Sequence, residues 1–442
     1  MCATRTSCFV NTSPKKDDSL MAVDTPARIA VLGVGPIGLE SALYARFLGY
    51  DVDVFERGNV CENLRLWGHV RMFSPFQMNR STLGLAALRA QHDAWQAPEE
   101  VALLTGHQLA EAYYLPLAKT DLLAESIHCQ TTVLSVGREG LLKGDHLGDD
   151  ARRDVDFRIL ARDRDGQERV TRADVVIDTT GTYGHPNWMG PGGMPAVGER
   201  ALRKQIEYGL PDVLDEHRDR YAQQHTLVLG AGYSAATTVV ALHELAREEP
   251  ATRVTWVTRG EQNDPITRIA DDRLIERDRL AERANRLAMS ESVAHWPGTM
   301  VQQISQTDTD ASADALEFEV DLVGRHVGTL TVDRIVANVG YRPDNRLHEE
   351  LQVHTCYATD GPMKLAAALS GNVSADCLDQ GAYGPATLAS PEPDFYIAGA
   401  KSYGRSSQFL LSIGLKQIQH IFTMIGDSAE LDLYKSIQAV KT

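Results

Sequence analysis

The clearest hydrophobic pattern in the chain is a short apolar run followed by a glycine-rich turn and an amphipathic helix, and it occurs twice. Residues 29–32 and 226–229 are continuous apolar runs, typical of strands buried on both faces of a parallel sheet. In each copy a segment of helical spacing follows, and then another apolar strand, so that the copies extend over 29–55 and 226–257. The pattern predicts two β-α-β units and an α/β fold.

The first glycine-rich turn carries the chemistry of a dinucleotide site. Its G-x-G-x-x-G motif needs Gly33 for the tight turn, Gly35 so that a pyrophosphate can approach the backbone, and Gly38 for close packing of helix on strand. Glu56 ends the next strand, about twenty residues on, where an acid can accept hydrogen bonds from an adenosine ribose. The predicted cofactor-binding residues of this copy are Gly33, Gly35, Pro36, Ile37, Gly38, Glu56 and Arg57.

The second turn, Gly230 to Ala235, has the variant G-x-G-x-x-A, and the strand after it ends in Arg259 instead of an acid. An arginine at this place suits the extra phosphate of NADP, whereas an acid would suit NAD. The alternative is that Arg259 is a solvated surface side chain. The predicted cofactor-binding residues of this copy are Gly230, Gly232, Tyr233, Ser234, Ala235 and Arg259.

The order of the remaining apolar segments predicts that the second unit is inserted into the first. An apolar strand at 175–178 runs into Gly181, a Gly/Pro-rich stretch follows, and a return segment lies near 334–343. A further strand near 395–400 and a helix near 409–425 complete the first domain. We therefore predict three parts: a flexible leader, 1–26; a discontinuous first domain, 27–187 plus 331–442; and an inserted second domain, 188–330.

Composition narrows the function classes. The net charge of -16 argues against non-specific binding to nucleic acid. The sequence has no apolar run of about 18 residues and no apolar core in its leader, so we expect no membrane span, no signal peptide and a cytoplasmic protein. The six cysteines form no C-x-x-C pair and no histidine cluster accompanies them, which favours reduced thiols and no metal. A homodimer, the commonest oligomer, is compatible with the sequence.

Several motifs together resemble the flavin-containing monooxygenase branch of the two-dinucleotide-domain flavoproteins. They are GVGPIG with Glu56, the D-T-T-G turn at 178–181, GAGYSA with Arg259, and N-V-G-Y-R-P-D at 338–344. The resemblance implies that the first domain holds FAD and the second holds a nicotinamide dinucleotide, for which Arg259 favours NADPH. The predicted fold is thus two Rossmann-like domains, with the NAD(P)H domain inserted into a discontinuous FAD domain.

Two further segments, WGHVRMFSPFQMN at 67–79 and GAKSYGRSSQFLLSIGLKQ at 399–417, are similar to a group of bacterial FAD-dependent oxidoreductases. Two family features are absent. The F-x-G-x-x-x-H motif of the monooxygenases does not occur in 196–210, and the G-D pair of the disulfide reductases is replaced by Gly399-Ala400-Lys401-Ser402. The second departure points away from enzymes resembling thioredoxin reductase.

The resemblance implies an NADPH-using monooxygenase that oxygenates a nitrogen or sulfur atom of a small substrate through a C4a-peroxyflavin. The partners would be that substrate and oxygen. The alternative is an NAD(P)H-dependent flavoprotein reductase that delivers electrons to a non-oxygen acceptor. A third hypothesis is a non-catalytic nucleotide-binding or redox-sensing protein, which would keep the glycine turns and lose the polar set at the flavin.

The residues expected at the flavin follow from the same resemblance, because related monooxygenases place the segment after the Glu56 strand at the flavin ring. Asn79 and Arg71 are the predicted catalytic residues of that segment, and Arg405 is a third. The alternatives are an ordinary loop for 67–79 and a surface salt bridge for Arg405. The remaining predicted cofactor-binding residues are Trp67, His69, Ser74, Gly181, Gly340, Gly399, Ser402, Ser406 and Gln408.

Overall fold

The computed structural model describes residues 27–91, 93–307, 317–371 and 376–439. The predicted leader, 1–26, with Cys2 and Cys8, lies outside the described residues. The strands are β1 (Arg28–Leu32), β2 (Asp51–Phe55), β3 (Ile127–His128), β4 (Thr132–Arg138), β5 (Phe157–Arg162), β6 (Glu168–Ala173), β7 (Val175–Asp178), β8 (His225–Leu229), β9 (Arg253–Thr258), β10 (Ala294–Pro297), β11 (Thr299–Gln306), β12 (Phe318–Gly324), β13 (Gly328–Val332), β14 (Arg334–Ala337) and β15 (Phe395–Ile397).

Most helices of the described residues are short. The helices are α1 (Pro36–Phe47), α2 (Glu62–Leu66), α3 (Thr82–Gln91), α4 (Gly106–Leu109), α5 (Leu115–Ala118), α6 (Arg218–Tyr221), α7 (Tyr233–Glu248), α8 (Ile275–Ala288), α9 (Met363–Ser370), α10 (Leu411–Ile425) and α11 (Leu433–Ala439). The longest are α1 and α7, which follow the glycine turns, and α8 and α10. A π-helical turn, Ala110–Tyr114, connects α4 to α5.

The first domain is built on a parallel sheet of five strands in the order β15-β7-β1-β2-β3. The predicted apolar runs form its centre, where β7 is buried along its whole length. Helices α1 and α10 pack together over this sheet, and the rings of Tyr44 and Phe422 stack at 4.8 Å between their centroids. A three-stranded antiparallel sheet, β4-β5-β6, lies between β3 and β7 in the chain and belongs to the same domain.

The second domain has a parallel sheet of four strands in the order β10-β9-β8-β14. Helices α7 and α8 pack on it, and its core surrounds the fully buried Trp256. A second antiparallel sheet, β11-β12-β13, follows β10 in the chain. Neither antiparallel sheet was predicted, because their strands alternate polar and apolar residues over short stretches without a distinctive turn motif.

Two antiparallel crossover segments, 185–187 and 340–342, connect the domains. The backbone N–H of Asn187 donates to the carbonyl of Gly340, and that of Arg342 donates to the carbonyl of His185, each at 2.9 Å. The predicted boundary at 331 is corrected by this arrangement, since β14 pairs with β8 in the second domain and the chain returns only after it. An apolar run such as β14 does not reveal which of two parallel sheets it will join.

Within the described residues, no helix is both long enough and apolar enough to cross a membrane. The same residues contain no group of three or more histidine, cysteine, aspartate or glutamate side chains arranged to hold a metal ion.

Candidate functional site

The first glycine turn has the shape that a bound pyrophosphate requires. Gly33 has a φ of +94°, and a Cβ there would lie 3.0 Å from the Thr179 carbonyl oxygen. A Cβ on Gly38 would lie 1.9 Å from the Gly33 carbonyl oxygen, so only glycine allows α1 to approach the turn. Gly35 differs, because a Cβ there would meet nothing within 4 Å. The turn is closed on the protein side and open at Gly35, which fits the phosphates of a dinucleotide at the N-terminus of α1.

The other predicted residues of the first turn surround it. Glu56 accepts hydrogen bonds from the backbone N–H groups of Val34 and Gly58, each at 2.8 Å, which fixes its carboxylate at the end of β2. Pro36 is the first residue of α1, and the Ile37 side chain packs against Gly399 and Gly414, so its backbone alone faces the turn. The remaining two lie at the margin: the exposed Arg57 guanidinium lies against Gly184, and Gly181, with a φ of +67°, borders open space.

A buried ion pair that was not predicted joins the ends of β7 and β15. Lys401 Nζ donates to Asp178 Oδ2 at 2.6 Å, and the two side chains are 1% and 0% exposed. Thr180 donates to Asp178 from its backbone N–H at 3.0 Å and from its hydroxyl at 2.7 Å. Burial alone would raise the pKa of Asp178, but the Lys401 ammonium and His348 outweigh it and hold that pKa below its usual range. The pair therefore ties the loop after β15 to the D-T-T-G turn.

The segment 67–79 forms a compact loop whose polar groups are largely occupied by the loop itself. The Asn79 side chain is buried; its Nδ2 donates to the carbonyls of Ser74 and Pro75 at 3.1 Å and 2.9 Å, and its Oδ1 accepts from the Ser74 hydroxyl at 3.1 Å. Arg71 is exposed and donates to the Leu103 carbonyl at 3.1 Å. Of the predicted polar set, Asn79 and Ser74 thus shape the loop and Arg71 lies at its surface.

Trp67 and His69 occupy the start of the same loop. The indole N–H of Trp67 is buried and has no hydrogen-bond partner among the described residues. An unpartnered buried donor is unusual and marks a place where a ligand acceptor would be favoured. His69 is half-buried, and burial lowers its pKa against the opposing charge of Asp212.

The loop after β15 has an interior and an exterior side. Ser402 is fully buried, donates to the Gly399 carbonyl at 2.7 Å and accepts from Gln417 Nε2 at 2.9 Å. Gln417 also accepts from the backbone N–H of Gly399, so α10 holds the loop in place. Arg405 forms a salt bridge with Asp360 at 2.6 Å and is 46% exposed. The predicted Ser406 and Gln408 lie beyond it, and Gln408 Oε1 accepts from Gln380 at 3.1 Å.

The second glycine turn repeats the geometry of the first. Gly230 has a φ of +127°, and a Cβ there would lie 2.2 Å from the carbonyl oxygen of Asn338, which follows β14. Gly232 precedes α7, and a Cβ on it would meet nothing within 4 Å. Tyr233 and Ser234 begin α7, and Ala235 is buried where the first copy has Gly38. This turn, too, is closed on one side and open where phosphates would bind.

Arg259 and Gly340 follow two different strands of the second sheet, β9 and β14. Arg259 follows β9 and is exposed, and its guanidinium has no ion-pair or hydrogen-bond partner within the described ranges. Gly340, with a φ of +81°, follows β14 at the crossover, where Asn187 Nδ2 comes near it. A cationic side chain without a protein partner is available to an anionic group.

The two halves of the site meet at one aromatic contact. The ring of Phe73, in the loop 67–79, lies edge-on to Tyr233 with 5.6 Å between their centroids. Next to this contact a cleft of about 280 Å³ lies between the domains, lined by His69, Arg71 and Phe73 on one side and by 210–214 and the helices α7 and α8 on the other. The structure thus brings the loop predicted to face the flavin to the N-terminus of α7.

A charged contact between the domains also escaped prediction. Arg277 at α8, only 4% exposed, donates to Asp272 at 2.7 Å and to Asp376 at 2.9 Å, and Asp376 belongs to the first domain. Arg273 donates to Asp376 at 3.2 Å and to Asp379 at 2.7 Å. No spacing in the sequence could have linked residues that lie about one hundred positions apart.

The four described cysteines, Cys61, Cys129, Cys356 and Cys377, are all free thiols. Cys61 is buried behind the first glycine turn, and burial raises the pKa of its thiol well above the ordinary value. A thiol held in its protonated form is a poor nucleophile.

No protein-family model matches the sequence, and neither does any curated protein sequence. Solved structures do match. The bacillithiol disulfide reductase of Bacillus cereus superimposes with a TM-score of 0.62 and 19% identity, over 91% of this chain and 99% of that one. The cadaverine monooxygenase of desferrioxamine biosynthesis from Erwinia amylovora, solved with FAD bound, gives 0.59 and 12%, over 91% and 95%. The thioredoxin reductase of T. acidophilum gives 0.53 and 15%, over 90% and 97%.

At these identities the comparisons establish the fold. Together with the two parallel sheets and their glycine turns, they confirm the predicted fold class: two Rossmann-like domains, the second inserted into a discontinuous first, in the arrangement of these solved structures.

Proposed function

We propose that the protein is an FAD-dependent oxidoreductase that uses NADPH and acts as a monooxygenase on a nitrogen or sulfur atom of a small substrate. The observation that carries the proposal is the contact between Phe73 and Tyr233. It connects the loop that leads away from the first dinucleotide turn to the helix that begins at the second. Two dinucleotides bound at these turns would therefore extend toward the same cleft.

The first domain supplies the residues that would hold FAD. Gly33 and Gly38 shape the pyrophosphate site, Gly35 leaves room for it, and Glu56 offers a carboxylate at the ribose position. The fit is supported by the open space at Gly35 and by the unpartnered indole N–H of Trp67. When bound, FAD would supply hydride acceptance and reaction with oxygen.

The protein's own contribution is to bind, orient and exclude water. Gly232 and Arg259 would hold the pyrophosphate and the additional phosphate of NADPH, which orients the nicotinamide toward the cleft. Phe73 and the apolar residues of 210–214 would keep water away from the reacting atoms. The neutral imidazole of His69, whose pKa burial lowers, can accept a proton from a substrate bound beside it.

The cysteines favour oxygen over a disulfide as the acceptor. Disulfide reduction by an enzyme thiol needs a thiolate, and burial raises the pKa of Cys61, which lies behind the first turn. The similarity to the bacillithiol disulfide reductase concerns the fold. The raised pKa of the Cys61 thiol therefore supports an acceptor other than a disulfide.

The two cofactor sites can be tested separately by filling the open space at each turn. Gly35→Val should abolish FAD retention, because a side chain there meets no protein atom yet occupies the place of the pyrophosphate. Gly232→Val should leave FAD bound and prevent reduction by NADPH for the same reason. The control is Gly137→Val in β4, where a Cβ also meets nothing within 4 Å. Flavin absorbance of the purified proteins measures FAD retention, and anaerobic bleaching of that absorbance by NADPH measures reduction. A Gly35→Val protein that is purified with its full complement of FAD would contradict the assignment of the first turn to FAD.

The oxygenase activity is tested by labelling. The FAD-loaded protein is supplied with NADPH, oxygen-18 gas and a panel of small amines and thioethers, and products are analysed by mass spectrometry. A product carrying one labelled oxygen atom for each NADPH consumed is the expected result. The absence of labelled product, together with anaerobic NADPH oxidation supported by ferricyanide or a quinone, would establish a reductase instead.

A further inference from the structure

Three arginines converge on one tryptophan beside the domain crossovers. The guanidinium carbons of Arg203, Arg200 and Arg342 lie 4.8, 5.5 and 5.7 Å from the ring centroid of Trp188. Arg203 also lies 5.2 Å from the ring centroid of Tyr208. Stacking on aromatic faces fixes the planes of the guanidinium groups but leaves their N–H edges free to donate.

None of the three arginines has a carboxylate partner within the described ranges, and no hydrogen bond of their guanidinium groups to the protein is found there. This is unusual in a chain with 60 acidic and 44 basic residues. Arg203 and Arg342 are moreover only half-exposed. Cations brought together and partly removed from water, without an opposing charge, raise the free energy of the folded state unless an anion joins them.

Two acids close in sequence to these arginines have other partners. Glu199 is fully buried and accepts from the Tyr208 hydroxyl at 2.8 Å and from the backbone N–H of Ala196 at 2.8 Å. Asp344 pairs with Arg346 at 2.6 Å. Within the described residues, neither carboxylate forms an ion pair with the arginines around Trp188.

The local electrostatic field agrees with this arrangement. Burial lowers the pKa of His185, the residue at the start of the outgoing crossover, and the nearby charges of Arg346, Arg342 and Arg203 lower it further. The charge of Asp344 opposes this lowering. The crossover region is therefore locally positive in a protein whose net charge is -16.

From this geometry we infer that Arg200, Arg203 and Arg342 around Trp188 form a binding site for a small, multiply charged anion of the phosphate class. The fork of each guanidinium can donate two parallel hydrogen bonds to phosphate oxygens. Neither glycine turn contributes a residue to the three arginine–tryptophan pairs, so the site would be separate from the two turns that would bind pyrophosphate groups. Trp188 follows the outgoing crossover and Arg342 belongs to the returning one, so a bound anion would tie the two together.

Inorganic pyrophosphate is the probe. Calorimetric titration of the FAD-loaded protein with pyrophosphate, at constant ionic strength set with sodium chloride, should give saturable binding. Arg203→Gln should weaken that binding roughly tenfold or more, because one charged donor pair is lost. Arg200→Gln should act in the same direction without loss of packing, since Arg200 is exposed. The matched control is Arg164→Gln, an arginine in the turn between β5 and β6 that is 78% exposed.

Two outcomes would overturn the inference. The first is a pyrophosphate titration that shows no saturable binding beyond that of the sodium chloride control. An equal affinity for pyrophosphate in Arg203→Gln, Arg200→Gln and Arg164→Gln would count in the same way. The second is complete loss of pyrophosphate binding at saturating NADPH, which would place the anion in the dinucleotide site. Retained binding in the presence of NADPH, weakened by both crossover-site variants and unchanged in the control, supports it.

Discussion

Glu40 carries a buried carboxyl group in α1, and its replacement by glutamine should stabilise the protein at neutral and alkaline pH. The side chain is 3% exposed, and its Oε1 atom has no hydrogen-bond partner among the described residues. Burial raises the pKa of Glu40 to about 7, against hydrogen bonding from Ser81 and Tyr434, which lowers it. The group lies where the C-terminal helix α11 docks, since Tyr434 belongs to that helix.

The magnitude follows from linkage between protonation and folding. Below pH 4.5 the carboxyl group is protonated in both the folded and the unfolded protein, so it carries no ionisation penalty. As the pH rises from 4.5 to about 7, the unfolded chain loses the proton while the folded protein keeps it, and the free energy of unfolding falls. At about 1.4 kcal/mol per pKa unit, the full loss above pH 7 is about 3 kcal/mol.

Glu40→Gln removes the charge and keeps the shape of the side chain. We expect the free energy of unfolding to rise by up to about 3 kcal/mol at pH 8 relative to the unsubstituted protein, and by little at pH 5. Urea denaturation followed by far-ultraviolet circular dichroism, at several pH values between 5 and 8, measures the difference. The control is Glu125→Gln, since Glu125 is exposed and its removal relieves no buried charge.

The reasoning would be refuted by a stability gain that is the same at pH 5 and pH 8, because the gain must follow ionisation of the carboxyl group. It would also be refuted by destabilisation at pH 8, which would show that the carboxylate form makes a favourable interaction in the folded protein. An equal pH dependence in Glu125→Gln would attribute the effect to net charge.

Three further outcomes are expected. Arg259→Ala should raise the KM for NADPH far more than that for NADH in steady-state assays, and equal changes would show that the side chain does not contact the additional phosphate. Asp178→Asn should lower the free energy of unfolding by about 3–5 kcal/mol in urea titrations, because Lys401 would be left charged and buried; a loss below about 1 kcal/mol would argue against a buried pair. Gly38→Val should yield little folded protein, since its Cβ would overlap the Gly33 carbonyl oxygen, and a normal yield of yellow protein would contradict the close packing of α1.

The local sequence predicted the elements whose signal is contained within a few residues. Strand β7 has the predicted bounds, 175–178, and β1, β2, β8 and β9 extend the predicted runs by a residue at one or both ends. The two glycine turns were equally predictable, since a positive φ at Gly33 and Gly230 is a property of a single residue and its neighbours. The predicted roles of the flavin-facing residues remain predictions.

The predicted boundary at residue 331, where the chain returns to the first domain, was wrong. Strand β14 is an apolar run that either parallel sheet could accommodate. Its place beside β8 depends on backbone pairing with a strand about one hundred residues earlier. The pairing of Asp178 with Lys401 could not be predicted either, because these residues are 223 positions apart. Lysine at position 401 could be noticed in the sequence only as a departure from a family motif.

The sequence by itself determined the two β-α-β units, the closed and open sides of each glycine turn, and the insertion of one domain into the other. Only the tertiary structure decided which polar groups remain available to a ligand. The side chains of Asn79 and Ser402 form hydrogen bonds inside the protein. Within the part of the chain that the structure describes, the guanidinium groups of Arg259 and of the arginines around Trp188 have no ion-pair or hydrogen-bond partner. The physical reason is that turn geometry is set by neighbouring backbone dihedrals, whereas a side chain's availability depends on every distant group that packs against it.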